Sequence, residues 1–206
     1  MRDDALITAL AVELPSARQD LLAVAKSLVV ALNAAVVAGD RAAASAAQDR
    51  YDAVVWKLNG GTFFGCEAGE GGGVLARRFC AADPGEIPLW GQGGEFLIEV
   101  RGIRAVACLS YCFGRMNAGF SFNAIDPSAP FISPTGFRHE FTSFWFGSDV
   151  AKAAEGVFGA QLEIGRVWVS EDYRGRVEAS RWPWLDPHIV PAQPVHEPDG
   201  QFVLAL

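Results

Sequence analysis

A chain of 206 residues that is half apolar and one-fifth charged, with fourteen Phe and six Trp, has the material for one sizeable packed domain, which excludes intrinsic disorder. Its formal charge of −7 and pI near 4.9 repel phosphate backbones, so composition points away from direct nucleic-acid contact. Met1 to Asp4 carry two acids and no apolar run, unlike a secretory leader, so a cytoplasmic, soluble chain with no membrane partner is expected.

In chain order, Ser16 and Gln19 have the spacing of a capping box. Leu21, Leu22, Val24, Ala25, Leu28, Val29, Leu32 and Val36 then recur at helical spacing. Lys26, Ser27 and Asn33 interrupt this run, so it reads as an amphipathic core helix rather than a bilayer span. Gly39 ends it, and Asp40 caps a second helix that runs to Leu58. The two form an antiparallel hairpin over 16–59, whose alanine-rich surface suits a homodimer seam.

Beyond Gly61 the period changes to that of strands. Thr62–Phe64 and Val74–Cys80 are expected as strands on either side of a mobile acidic, glycine-rich loop over Glu67–Gly73. Glu95–Val100 and Ile103–Phe113 make a hairpin through Arg101-Gly102, followed by strands over Gly119–Ile125 and Phe137–Phe146 with a proline loop between. A short helix is expected over Val150–Phe158, ended by Gly159. A last hairpin joins Val167–Val169 to Arg176–Glu178 around Tyr173-Arg174-Gly175. From Arg181 onward a proline-rich arm wraps the surface, anchored by Trp182 and Trp184, with Phe202–Leu206 as an edge strand or docking tail. The fold class is α+β in one domain over 1–206: hairpin 16–59, sheet-rich body 62–180 and arm 181–206.

The four cysteines are expected to be reduced. Cys108 and Cys112 share a strand face about 13 Å apart at ~3.3 Å per residue, too far for a disulfide, and no metal-ligand knuckle surrounds any of the four. Gly60-Gly61, Gly69–Gly73 and Gly91–Gly94 match neither a Walker loop nor a dinucleotide loop, so no cofactor is expected. Two site readings remain open. Arg138-His139-Glu140 on a strand puts Arg138 and Glu140 on one face and His139 on the other. The plain expectation is an exposed cross-strand ion pair with His139 in the core; the alternative is a binding patch of Trp90, Gln92, Glu95, Arg138 and Glu140. An enzyme would instead use Cys66 with His139, oriented by Glu140 or Asp126, as a hydrolase or transferase. A ligand-binding module with an aromatic pocket is a third class.

The stretches Tyr51–Gly65, Trp90–Val100 and Pro130–Phe141 resemble a family of uncharacterised accessory proteins of bacterial plasmids, integrative elements and phages. The resemblance covers residues 50–145 and carries no catalytic assignment. It implies a counter-defence setting, and hence a non-enzymatic protein of a mobile element that binds a host defence nuclease complex through an acidic, aromatic face without touching nucleic acid.

Overall fold

The computed structural model describes residues 4–112, 117–180 and 182–185. It is α+β, with helices first and an antiparallel sheet after them. Helix α1, Asp4–Val12, is an addition that periodicity did not single out. Helices α2, Arg18–Ala38, and α3, Arg41–Leu58, form the expected hairpin. Gly39, at φ 77°, donates its N–H to the carbonyls of Ala35 and Val36, and Asp40 accepts from the Ala43 amide at 2.9 Å. The capping box does not form, because α2 begins after Ala17 with no side-chain cap. By length and hydropathy α2 could cross a membrane, yet Leu21, Ala25, Val29, Leu32 and Val36 are buried along one stripe against the rest of the fold.

The expected strands at Thr62–Phe64 and Val74–Cys80 are absent: the first is irregular chain, and the second is helix α4, Gly72–Cys80. Backbone proximity explains the glycines. A Cβ on Gly72 would lie 2.7 Å from the Val55 carbonyl oxygen and 2.8 Å from the Asn59 amide, so α4 can start against the end of α3 only without one. Gly71–Gly73 thus form a close-packed joint. Ile7, Ala11, Val54, Ala76 and Cys80 build the core of this helical unit.

Strands β1, Gly94–Val100, β2, Ile103–Cys112, β3, Asn117–Ala124, and β5, Phe137–Ser143, pair antiparallel in the order β1-β2-β3-β5. The β1–β2 turn has positive φ at both Arg101, 54°, and Gly102, 74°, as the twist of a two-residue hairpin requires. The register places Phe96, Ile98, Ala105, Ala107, Leu109, Phe120 and Phe122 on one face. Helix α5, Val150–Ile164, packs there, with Phe158 5.1 Å from Phe122, ring centre to ring centre. Burying each such aromatic is worth roughly 1.5–3 kcal/mol.

Three further expectations are corrected. Helix α5 runs through Gly159 to Ile164; Gly156 is a seat for the Trp145 ring, which a Cβ would meet at 2.5 Å. The terminal hairpin does not form. Strand β6, Val167–Trp168, pairs instead with β4, Pro130–Phe131, inside the stretch expected as a proline loop, and the chain continues as helix α6, Glu171–Ala179. The last residues of two expected strands also fall away: β5 stops at Ser143 so that Phe144 can turn into the core. Phe113, the Cys112 side chain and the arm beyond Leu185 lie outside the described residues.

Candidate functional site

The five residues of the expected binding patch are not one surface. Trp90 is fully buried. Its amide donates to Asn33 Oδ1 at 3.0 Å, its indole N–H to the Ser148 carbonyl at 2.8 Å, and its ring lies 4.9 Å from that of Phe144. Gln92 Oε1 accepts the Leu89 amide at 2.8 Å, closing its own loop. Glu95 accepts the Trp184 indole N–H at 3.0 Å, so this tryptophan of the expected arm does anchor on the sheet.

Arg138 and Glu140 pair at 2.5 Å within their own strand rather than across strands. They stand on the face that carries Phe120 and Phe122, at the edge of the sheet. His139 takes the opposite face and is not a core residue; it shares a 2.8 Å hydrogen bond with Ser121 Oγ and meets Phe141 edge-on at 4.4 Å. Burial in the expectation failed because β5 is an edge strand whose pattern is largely exposed.

The groups of the enzyme reading have separate partners. Cys66 packs in the helical core with its thiol 3.8 Å from Glu67 Oε1, His139 bonds Ser121, and Glu140 points away from His139 to the other face. Asp126 accepts the Ser128 amide in the turn after β3. Cys108, opposite Glu95, is pushed up from the ordinary thiol range by burial first and then by the Glu95 carboxylate.

A different set converges on the helical unit. Asn59 holds the joint after α3: its Nδ2 donates to the carbonyls of Thr62, 2.7 Å, and Phe64, 3.0 Å, and its Oδ1 accepts the Gly72 amide at 3.0 Å. The joint thereby presents Phe64 almost wholly to solvent. On the last turn of α4, Arg77 pairs with Glu67, and the exposed Arg78 lies 3.6 Å from Glu70. Lys26 of α2 is near enough to oppose the shift of Cys80, whose burial pushes that thiol up to about 11. Arg77 and Arg78 thus stand beside a loop whose two acids pair with them, and Lys26 lies on α2, which packs against α4.

This is an α+β protein in which a helical hairpin shares a core with a helix-backed antiparallel sheet. Residues 6–79 match the family model described as the KlcB N-terminal DNA-binding domain, and residues 93–184 match the KlcB third domain. Two Escherichia coli proteins named Protein KlcB are similar to it, at 44% identity over 186 residues and 40% over 185, each over 88% of this chain. The chain belongs to the KlcB family. It spans 46% and 40% of the lengths of those two relatives. No solved structure matches it.

The match over 6–79 overturns the expectation of no direct nucleic-acid contact, and with it the reading as a protein-only blocker of a defence nuclease. Whole-chain charge misled because the acids are unevenly placed. Residues 6–79 hold seven Lys or Arg and seven Asp or Glu, residues 93–184 hold nine and ten, and the other 40 residues hold one and seven. Taken segment by segment, charge removes the objection to DNA without singling out either matched segment, since both are near neutral.

Proposed function

We propose that the protein binds DNA through its helical unit, with Lys26, Arg77 and Arg78 contacting phosphates. The observation that carries this reading is the family description of residues 6–79 as a DNA-binding domain. Local charge is compatible with it, since this segment is neutral while the acidic excess lies elsewhere. The exposure of Arg78 supports it too, because its Glu70 partner is equally solvated and such a surface pair is worth less than ~1 kcal/mol. A phosphate therefore displaces Glu70 at little cost and gains a charge-assisted bond.

Affinity on this reading is largely electrostatic. Each cation that neutralises a phosphate releases condensed counterions, so binding weakens as salt rises. The helical unit and the sheet act as one body in this proposal, because Trp90 and Asn33 tie them together. The mobile-element setting implied by the resemblance belongs to the same reading and enters no step of it.

Fluorescence anisotropy of a labelled DNA duplex titrated with the full chain at low salt tests the proposal. Saturable binding that weakens with added salt supports it. A flat titration at high micromolar protein refutes it.

A further inference from the structure

Strand β5 closes one side of the sheet, so its far edge has no strand partner among the described residues. The Ala124 amide donates to the Gly136 carbonyl at 2.9 Å, which sets the phase of the β3–β5 ladder. In an antiparallel pair, hydrogen-bonded positions alternate. Arg138 and Glu140 consequently spend their backbone groups on β3, while Phe137, His139 and Phe141 direct theirs outward. Thr135 Oγ1 meets the amide and carbonyl of Phe137; among the described residues those of His139 and Phe141 meet no backbone partner.

Exposed edges are normally blunted by proline, lysine, a bulge or a covering element. Residues Phe137–Ser143 have no proline or lysine and pair with β3 in unbroken register. Phe141 is 81% exposed and Phe137 40%. The order Phe-Arg-His-Glu-Phe over 137–141 is also chemically symmetric about its centre, with the sign of charge reversed.

We propose that a second copy of this chain pairs with β5 antiparallel, about a two-fold axis through His139. The outward groups of His139 then exchange hydrogen bonds with those of the partner subunit's His139. Phe137 stands opposite the partner subunit's Phe141. Arg138 stands opposite the partner subunit's Glu140, at a non-hydrogen-bonded pair where Cα atoms approach to about 4.5 Å and side chains lie closest. Both ion pairs fall on the same face as the existing Arg138–Glu140 contact, so four charges alternate in sign along the seam. Moving the axis to Phe137 or Phe141 loses every one of these matches, which fixes the register. The four strands of each copy join into one continuous sheet.

This interface is distinct from the seam expected on the helical hairpin, and it does not depend on DNA binding. Sedimentation equilibrium of the full chain tests it. The unchanged protein should be dimeric at micromolar concentration. Arg138→Glu and Glu140→Arg each put like charges opposite one another twice per dimer, and each should weaken the dimer by at least about tenfold. Mixing the two variants pairs opposite charges again, so an equimolar mixture should recover a heterodimer. A monomeric unchanged protein, a dimer that survives both substitutions, or variants that stay monomeric when mixed would each overturn the proposal. Recovery on mixing also excludes misfolding as the cause of dissociation.

Discussion

The backbone amide of Trp90 donates to the side-chain oxygen of Asn33, 57 residues earlier, at 3.0 Å. This bond joins the C-terminal third of α2 to the segment that enters the sheet. The Gly147 amide, donated to the Val36 carbonyl at 2.8 Å, and the Arg41 guanidinium, 4.2 Å above the Phe146 ring, secure the same junction from β5's side. Asn33, which interrupts the apolar stripe of α2, is therefore a fastening rather than a flaw in the helix.

Replacing Asn33 with Ala leaves the amide of a fully buried residue without its partner. Such a loss costs about 1–3 kcal/mol. Urea unfolding should show that decrease, with the slope on denaturant unchanged. An effect near zero would mean that water takes the place of the asparagine.

Two glycine substitutions test the helices that the sequence concealed. Gly72→Ala drives a Cβ into the backbone of α3 and should destabilise by about 1–3 kcal/mol. Gly175→Ala meets nothing within 4 Å in the middle of α6 and should stabilise by about 0.5–1 kcal/mol, because alanine orders into a helix more readily. In the hairpin turn expected there, the sign would be reversed. Thermal unfolding of both variants reads the difference.

Alkaline pH should weaken the fold through Cys80. Its thiol is neutral in both states well below pH 9, so it contributes little pH dependence there. Between pH 9 and about 11 the unfolded chain releases this proton while the folded chain holds it, and stability falls as pH rises. The two-unit window corresponds to roughly 2–3 kcal/mol. Tyr51, also raised mainly by burial, extends the loss in the same direction at higher pH. Stability measured at pH 8 and pH 10.5 should fall less steeply for Cys80→Ala than for the unchanged chain; equal losses would remove Cys80 from the account.

Legibility followed the kind of signal each segment carried. The α2–α3 hairpin was readable because its stripe is long and its ends carry Gly39 and Asp40. The β1–β2 hairpin was readable from alternation in the first strand, a continuous apolar run in the second and a two-residue turn between. Helices α4 and α6 were not, because glycines look like loop punctuation: those at 71–73 are required by a close backbone approach that sequence does not show, and Gly175 sits in open space inside α6. Gly159 reads as a stop in the sequence, whereas it lies inside α5 with only the Val100 side chain nearby.

Site residues failed differently. Trp90 has the composition of an interface anchor, yet indoles fit a core whenever the N–H finds a carbonyl, as it does at Ser148. Pairing order alone decided that β5 would be an edge strand, which moved His139 out of the core and set Arg138 against Glu140 within one strand. The cations at 26, 77 and 78 were overlooked because the first lies some 50 residues before the other two, and only the packing of α4 against α2 and α3 brings their helices together.

The most direct test of DNA contact by the helical unit is the salt dependence of duplex affinity for the unchanged chain, Arg78→Ala and Glu70→Gln. Loss of one phosphate contact should reduce the slope of log K against log salt by about 0.9 for Arg78→Ala. Removing the competing carboxylate in Glu70→Gln should tighten binding at every salt concentration. Slopes and affinities identical across all three proteins would contradict this assignment of the interface.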